Sequence, residues 1–377
     1  MKTFLLSLLL VLTTACSHRS QPTSDTVVEP RQYSLDEDIG AMLLVGFRGT
    51  SIDEKSSLAS DLKRYYVGSV ILFDYDAPSG TRGRNIKSPA QLKNLCRQLR
   101  SINPQMLIGI DQEGGAVSRL AKRYGFESVM SARKSAELGM DTVRHCAALT
   151  AKMLAEVGID VDFAPVADVD VNPACPVIGG MARSFSANER VVADCCNIWV
   201  EELQRRHIVA CMKHFPGHGS ATGDTHKGLV DVTNTWQERE MNVYKEVING
   251  LSHRQTQHMM IMTAHVVNRQ LDAQGLPASL SESITALLRD SLAFDGVIVT
   301  DDLVMGAISN HYSLRQTLKM AINAGADLLC LSNNGSSYDE HQIENVVAII
   351  TQMVADGEVS EQRVRQAAQR VRQLSAW

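Results

Sequence analysis

Read for hydrophobicity, the chain is a series of short, wholly apolar runs separated by longer stretches in which apolar residues recur every three or four positions. The runs fall at 44–47, 67–73, 106–110, 161–167, 209–212, 259–263, 296–300 and 327–331. A run that is apolar at every position, rather than at alternate ones, suits a strand whose sheet is covered on both faces, as in a parallel sheet. The intervening stretches carry helix signals. Ser88-Pro89-Ala90-Gln91 offers a cap, a first-turn proline and a capping-box glutamine ahead of Leu92, Leu95 and Leu99. Thr235-Trp236-Gln237-Glu238 is a second start of this kind. Ala147, Ala151 and Leu154 form an apolar stripe that stops at Gly158, and Val364, Ala367, Val371 and Leu374 form another near the end. Eight strand-helix alternations, over a length above the ~250 residues usual for the architecture, predict an α/β protein built as a single-domain (β/α)8 barrel. A doubly wound open sheet is the competing arrangement.

A barrel of this type carries its chemistry at the carboxyl ends of its strands, and the polar residues gather there. Asp111-Gln112-Glu113-Gly114-Gly115, with Arg119 beyond, follows the third run; Asp168 and Asp170, with Arg183 downstream, follow the fourth. The fifth run leads into Lys213-His214-Phe215-Pro216-Gly217-His218-Gly219 and then Asp224-Thr225-His226. His265 follows the sixth run, and Asp301 and Asp302 the seventh. Pro216 and Gly217 exclude a helix carrying His214 and His218 on one face, so an irregular loop must hold them. Plainer roles exist for single residues: Asp168 and Asp302 as caps of the next helix, Arg183 as the partner of a carboxylate, His265 as a satisfied interior histidine.

Asp224 and His226 form the sharpest local feature, because residues two apart on an extended segment point the same way. The carboxylate can then fix the imidazole tautomer and favour the protonated ring. His226 becomes a candidate general acid, worth about 10²–10⁴ in rate or roughly 3–5.5 kcal/mol. Asp301, on another strand end, is the natural nucleophile opposite it. Two catalytic groups flanking one bond is the arrangement of a retaining glycosidase, here with a histidine where a second carboxylate is usual.

A formal charge of −5 over 377 residues, with acids and bases interspersed, leaves no basic stripe for nucleic acid and points to a small uncharged or mildly anionic ligand. Neither a GxGxxG nor a P-loop pattern occurs, so no cofactor is expected. A metal-dependent hydrolase using His214, His218, Asp224 and His226 is the alternative from another class, but their spacing is irregular, and no metal is expected. Lys2, the apolar stretch 4–12 and Leu12-Thr13-Thr14-Ala15-Cys16 resemble a bacterial lipoprotein leader, too short to span a bilayer. The expected organisation is a leader at 1–16, a flexible tether at 17–33 and the barrel at 34–377. Membrane contact is expected only through the lipid anchor, in the periplasm or at the outer membrane. Seven further cysteines show no metal spacing and read as buried thiols, with Cys175, in a proline-flanked loop, the candidate for a disulfide.

Together these residues resemble glycoside hydrolase family 3, and within it the bacterial β-N-acetylglucosaminidases that process peptidoglycan fragments. Lys213 to Gly219 is similar to that group's signature, with Asp224 and His226 at the distance of its acid/base dyad. Val299-Thr300-Asp301-Asp302-Leu303 is similar to its nucleophile segment, in which the first Asp attacks. The resemblance implies Asp301 as nucleophile, His226 and Asp224 as acid/base dyad, and Asp111, Arg119, Arg183, Lys213 and His214 as sugar contacts. It implies a carbohydrate substrate such as a muropeptide fragment and a (β/α)8 fold. The sequence departs from the pattern at Ser220-Ala221 and in a longer approach to Arg183 through Gly179-Gly180-Met181-Ala182. A β-glucosidase, a β-xylosidase, a glycoside phosphorylase or a non-catalytic sugar-binding lipoprotein are the other readings, and nothing in the sequence fixes an oligomeric state.

Overall fold

The eight apolar runs become eight parallel strands: β1 (Leu43–Gly46), β2 (Ser69–Leu72), β3 (Leu107–Ile110), β4 (Val161–Asp162), β5 (Val209–Phe215), β6 (Met259–Thr263), β7 (Val297–Thr300) and β8 (Leu329–Leu331). The structure is a computed structural model that describes residues 31–375. The leader, Cys16 and nearly all of the expected tether lie outside the described residues. The sheet runs β7-β6-β5-β4-β3-β2-β1-β8, every pair parallel. It closes where Val299 bridges Leu328: Thr300 N donates to Leu328 O (3.1 Å) and Leu328 N to Ile298 O (3.1 Å). The result is a (β/α)8 barrel of the TIM type, and the open sheet is excluded.

Closure explains the unbroken apolar runs. Leu44, Ile71, Leu107, Val161, Val209, Cys211, Met260, Val297 and Cys330 fill the barrel interior, while Leu43, Val45, Val70, Leu72, Ile108 and Ile298 pack outward in the cluster shared with the helices. Each such side chain, fully removed from water, contributes about 1.5–3 kcal/mol. The seven cysteines within the described residues are all buried and free, Cys175 included, its thiol lying 3.6 Å from the carbonyl of His218.

Two elements differ from expectation for identifiable reasons. β4 covers only Val161–Asp162 of the run 161–167, because Pro165 has no N–H for the ladder; the chain meets β5 again where Val166 bridges Lys213. The helix expected to start at Thr235 starts at Glu238, with Gln237 as its cap. Trp236 is turned inward to donate its indole N–H to Pro216 O (3.1 Å), which holds the preceding residues out of the helix.

At the amino-terminal end of β8 sits a buried ionic hub. Asp327 is fully buried, accepts from the backbone of Ile298 (3.0 Å), and pairs with Arg289, Arg363 (2.9 Å) and Arg370 (3.1 Å). It ties the barrel floor to the closing helix Glu361–Ser375. Removing it leaves three guanidiniums facing one another, two of them largely buried, a loss of about 3–5 kcal/mol. Asp327→Ala should therefore lower unfolding stability by that amount in urea titrations, with any catalytic activity of the remaining folded fraction unchanged, since this end of a barrel serves stability.

Candidate active site

The carboxyl end of β5 is irregular. Lys213 pairs with Met262 and Phe215 with Thr263, so His214 is an extra residue in a bulge that turns it toward the barrel mouth. Phe215 anchors the bulge by packing its ring edge-on to Tyr244, centroids 5.0 Å apart. Lys213 is buried and reaches across the barrel, its Nζ 2.7 Å from Asp111 Oδ1 and 2.7 Å from Glu113 Oε1. Arg183 closes on Glu113 from the other side through two parallel bonds, 2.7 and 2.8 Å. Burial alone would favour neutral Lys213, but the two carboxylates outweigh it and hold its pKa above the ordinary lysine value. Glu113, opposed by burial but facing Arg183 and Lys213, is held well below the usual carboxylate range. Arg119 extends the chain of charges more loosely, 3.6 Å from Asp111 and 3.9 Å from Asp74.

Asp168 is not a helix cap. It is fully buried and accepts from His218 N (2.7 Å) and His214 N (3.2 Å), with its second oxygen 2.7 Å from His214 Nδ1. One carboxylate thus fixes both the backbone of the loop and the plane of the His214 ring. His218 Nε2 lies 3.2 Å from Thr225 Oγ1, which joins the first half of the loop to its tip. His265 is the satisfied interior histidine, between Ser279 Oγ (2.7 Å) and Asp302 O (2.9 Å).

At the tip, His226 Nδ1 is 2.8 Å from Asp224 Oδ1, and the same oxygen accepts from His226 N (2.9 Å). Burial opposes ionisation of Asp224, but the bonds from His226 outweigh it and hold the carboxyl below its ordinary value. The ring is 64% exposed, so the tip presents an imidazole at the mouth. Asp301, at the end of β7, and His226 line one cavity of about 410 Å³, together with Asp111, Arg119, Arg183, Lys213 and His214. Every residue proposed from the sequence as catalytic or sugar-binding lines it except Asp224, which stands behind His226.

The two neighbouring aspartates have opposite environments. Asp301 would be raised by burial, but His265, His214 and the Asp302 amide (2.8 Å) hold it well below the usual range, so it is ionised. Asp302 is pushed up to about 6, chiefly by burial; Ser332 N donates to it (3.0 Å) and so does the Ser332 hydroxyl. Asp302 therefore ties β7 to the end of β8, leaving Asp301 as the ionised carboxylate of the pair. Among the described residues no group of three or more His, Cys, Asp or Glu is placed to hold a metal ion. The four residues of the metal reading are instead bound to Asp168, Thr225 and each other. Glu113 and Thr225 were given no role by sequence, Asp168 only that of a helix cap and His218 only that of a ligand in the metal reading; the carboxylates adjoining Asp111 and following β4 were the available signals.

The glycosyl hydrolase family 3 N terminal domain matches residues 34–374. A beta-hexosaminidase of Nitrosomonas eutropha is 33% identical over 311 residues, 79% of this chain and 82% of that protein. One from Pseudomonas aeruginosa is 32% identical over 279 residues, 73% of this chain and 78% of that protein. Among solved structures, a glycoside hydrolase family 3 beta-N-acetylglucosaminidase from a Paenibacillus species has a TM-score of 0.80 at 31% identity, over 92% of this chain and 62% of that one. A beta-N-acetylhexosaminidase from Beutenbergia cavernae has a TM-score of 0.78 at 26% identity, over 92% and 99%.

Behind the loop, Gly217 has φ +131° and lies against Glu240, whose Cβ would be 2.6 Å from any added methyl. Glu240 is fully buried and accepts from Ser220 N (3.2 Å) and Gln237 N (3.2 Å). Burial pushes its carboxyl up to about 7 from an ordinary 4.5. Between those two values the folded state holds the proton more tightly than the unfolded one, so stability falls as pH rises through this window. We expect unfolding free energy to decline by roughly 2–3 kcal/mol between pH 4.5 and 7 from this group. Denaturant titrations across that range should show a flatter profile for Glu240→Gln.

Proposed function

The chain belongs to glycosyl hydrolase family 3, and from that premise we propose that it is a retaining exo-β-N-acetylglucosaminidase with Asp301 as nucleophile and Asp224–His226 as its acid/base dyad. The observation that carries this reading is that an ionised aspartate and an exposed imidazole, from different strand ends, line one cavity. In the first step an Asp301 oxygen bonds to the anomeric carbon as the glycosidic C–O bond breaks, and the imidazolium gives its proton to the departing oxygen. In the second, the neutral imidazole takes a proton from water, whose oxygen displaces Asp301 and regenerates the carboxylate. Asp224 keeps the ring oriented through its bond to Nδ1. Asp111, Arg119, Lys213 and His214 supply the polar contacts for sugar hydroxyls, and Arg183 contributes by fixing Glu113 against Lys213.

The choice of N-acetylglucosamine over glucose or xylose rests on the beta-hexosaminidase relatives. The lipoprotein-like leader supports a tethered enzyme outside the cytoplasm, and peptidoglycan fragments are the β-linked N-acetylglucosaminides we assign to it there. Asp301→Ala is expected to bring turnover below detection. His226→Ala should slow attack by about 10²–10⁴ for poor leaving groups and far less for activated aryl glycosides. Labelling with a 5-fluoro N-acetylglucosaminyl donor and peptide mapping checks the assignment: a label on any residue other than Asp301 overturns it.

A further inference from the structure

The acid-bearing tip rests on the nucleophile's own segment. The first half of the loop is held from many sides, by Asp168, by Glu240, and by Asn172, whose side chain donates to Ala221 O (2.9 Å). The tip is held differently. Thr225 bonds to His218, and the tip's backbone carbonyls lie against the short helix Gly306–Ser309: Gly306 N donates to His226 O (3.2 Å), Ala307 N to Thr225 O (3.0 Å), and Asn310 Nδ2 to Lys227 O (3.4 Å). That helix continues directly from Asp301. Its approach is rigid, since Asp301 N donates to Thr263 O (3.0 Å), Leu303 N to Cys330 O (3.0 Å), and Asp302 is clamped to Ser332.

Gly306 is the point of closest approach. A Cβ there would lie 2.7 Å from His226 O and 3.0 Å from the carbonyl carbon of Lys227. Its backbone is helical and has no positive φ, so the conformation does not require glycine. Glycine also disfavours a helix relative to alanine. Space is what the position needs: without a side chain the tip can settle onto the two amides.

We propose that Gly306 is a positioning residue, and that the ledge formed by its amide and that of Ala307 sets where His226 stands relative to Asp301. The inference rests on the function proposed above. Nucleophile and acid then share one rigid segment, although the acid is carried by a loop from another strand. A displacement of the tip moves the proton donor while leaving the attacking carboxylate where it is. Its signature is a loss that depends on the leaving group, because a good leaving group departs without a proton and a poor one does not.

The test uses the full chain and compares kcat/KM, which reports the glycosylation step, for 2,4-dinitrophenyl and phenyl N-acetyl-β-D-glucosaminides. Gly306→Ala should stay within about twofold of wild type on the dinitrophenyl substrate and lose about tenfold or more on the phenyl one, a fraction of the 10²–10⁴ available to a general acid. Gly306→Pro provides a second variant. Proline is favoured at a first helical position, and Met305 before it already has φ −64° and ψ 151°. This variant deletes the amide that donates to His226 O and should show the same selective loss. An equal loss on both substrates, or no loss on the phenyl glycoside in a variant with a native thermal transition, overturns the proposal. Wild-type protein inactive on both substrates would instead overturn the assigned function, and this inference with it.

Discussion

A lysine buried between two carboxylates is the constraint from which the rest of the site follows. Lys213 is nearly without solvent, and an ammonium there is tolerable only because Asp111 and Glu113 meet it at hydrogen-bond distance. Glu113 in turn is tolerable because Arg183 grips it with two bonds. The four charges come from the ends of β3 and β5 and from the long connection after β4, so three neighbouring units of the barrel must keep their relative height. Substrate groups entering the cavity therefore meet charges already desolvated and oriented, the condition under which polar contacts discriminate strongly.

The two ends of the barrel divide the work. At the floor, Asp327 gathers three arginines and joins β7, β8 and the last helix. At the mouth, Asp168 gathers the His214 ring and the backbone amides of His214 and His218, giving shape to a stretch that proline and glycine keep out of regular structure. Both are buried carboxylates with several donors. One closes the fold and the other builds a tool on it.

Much of this was legible in the sequence, because a strand covered on both faces must be apolar throughout and because barrel chemistry sits at strand ends. The apolar runs located every barrel strand, and most of the polar residues singled out after them line the cavity, though Asp168, Asp170, Asp224 and His265 do not. What the sequence could not rank was partnership. Arg183 meets Glu113 across 70 residues and Lys213 meets Asp111 across 102, and no local pattern tells which carboxylate faces which cation. Asp168 read equally well as a helix cap, and Thr235 as a helix start, since local propensity does not register that Trp236 is drawn inward to Pro216. Asp301 and Asp302 are adjacent and identical in type; the Ser332 clamp, supplied by β8, separates them.

The cysteines lead to a different point. All seven in the described residues are buried, and burial pushes the thiols of Cys96 and Cys195 up to about 12. The thiolate is the form that attacks disulfides and peroxides, so burial disfavours the reactive form of these two side chains. The seven thiols therefore serve the core as small apolar groups and not as cross-links.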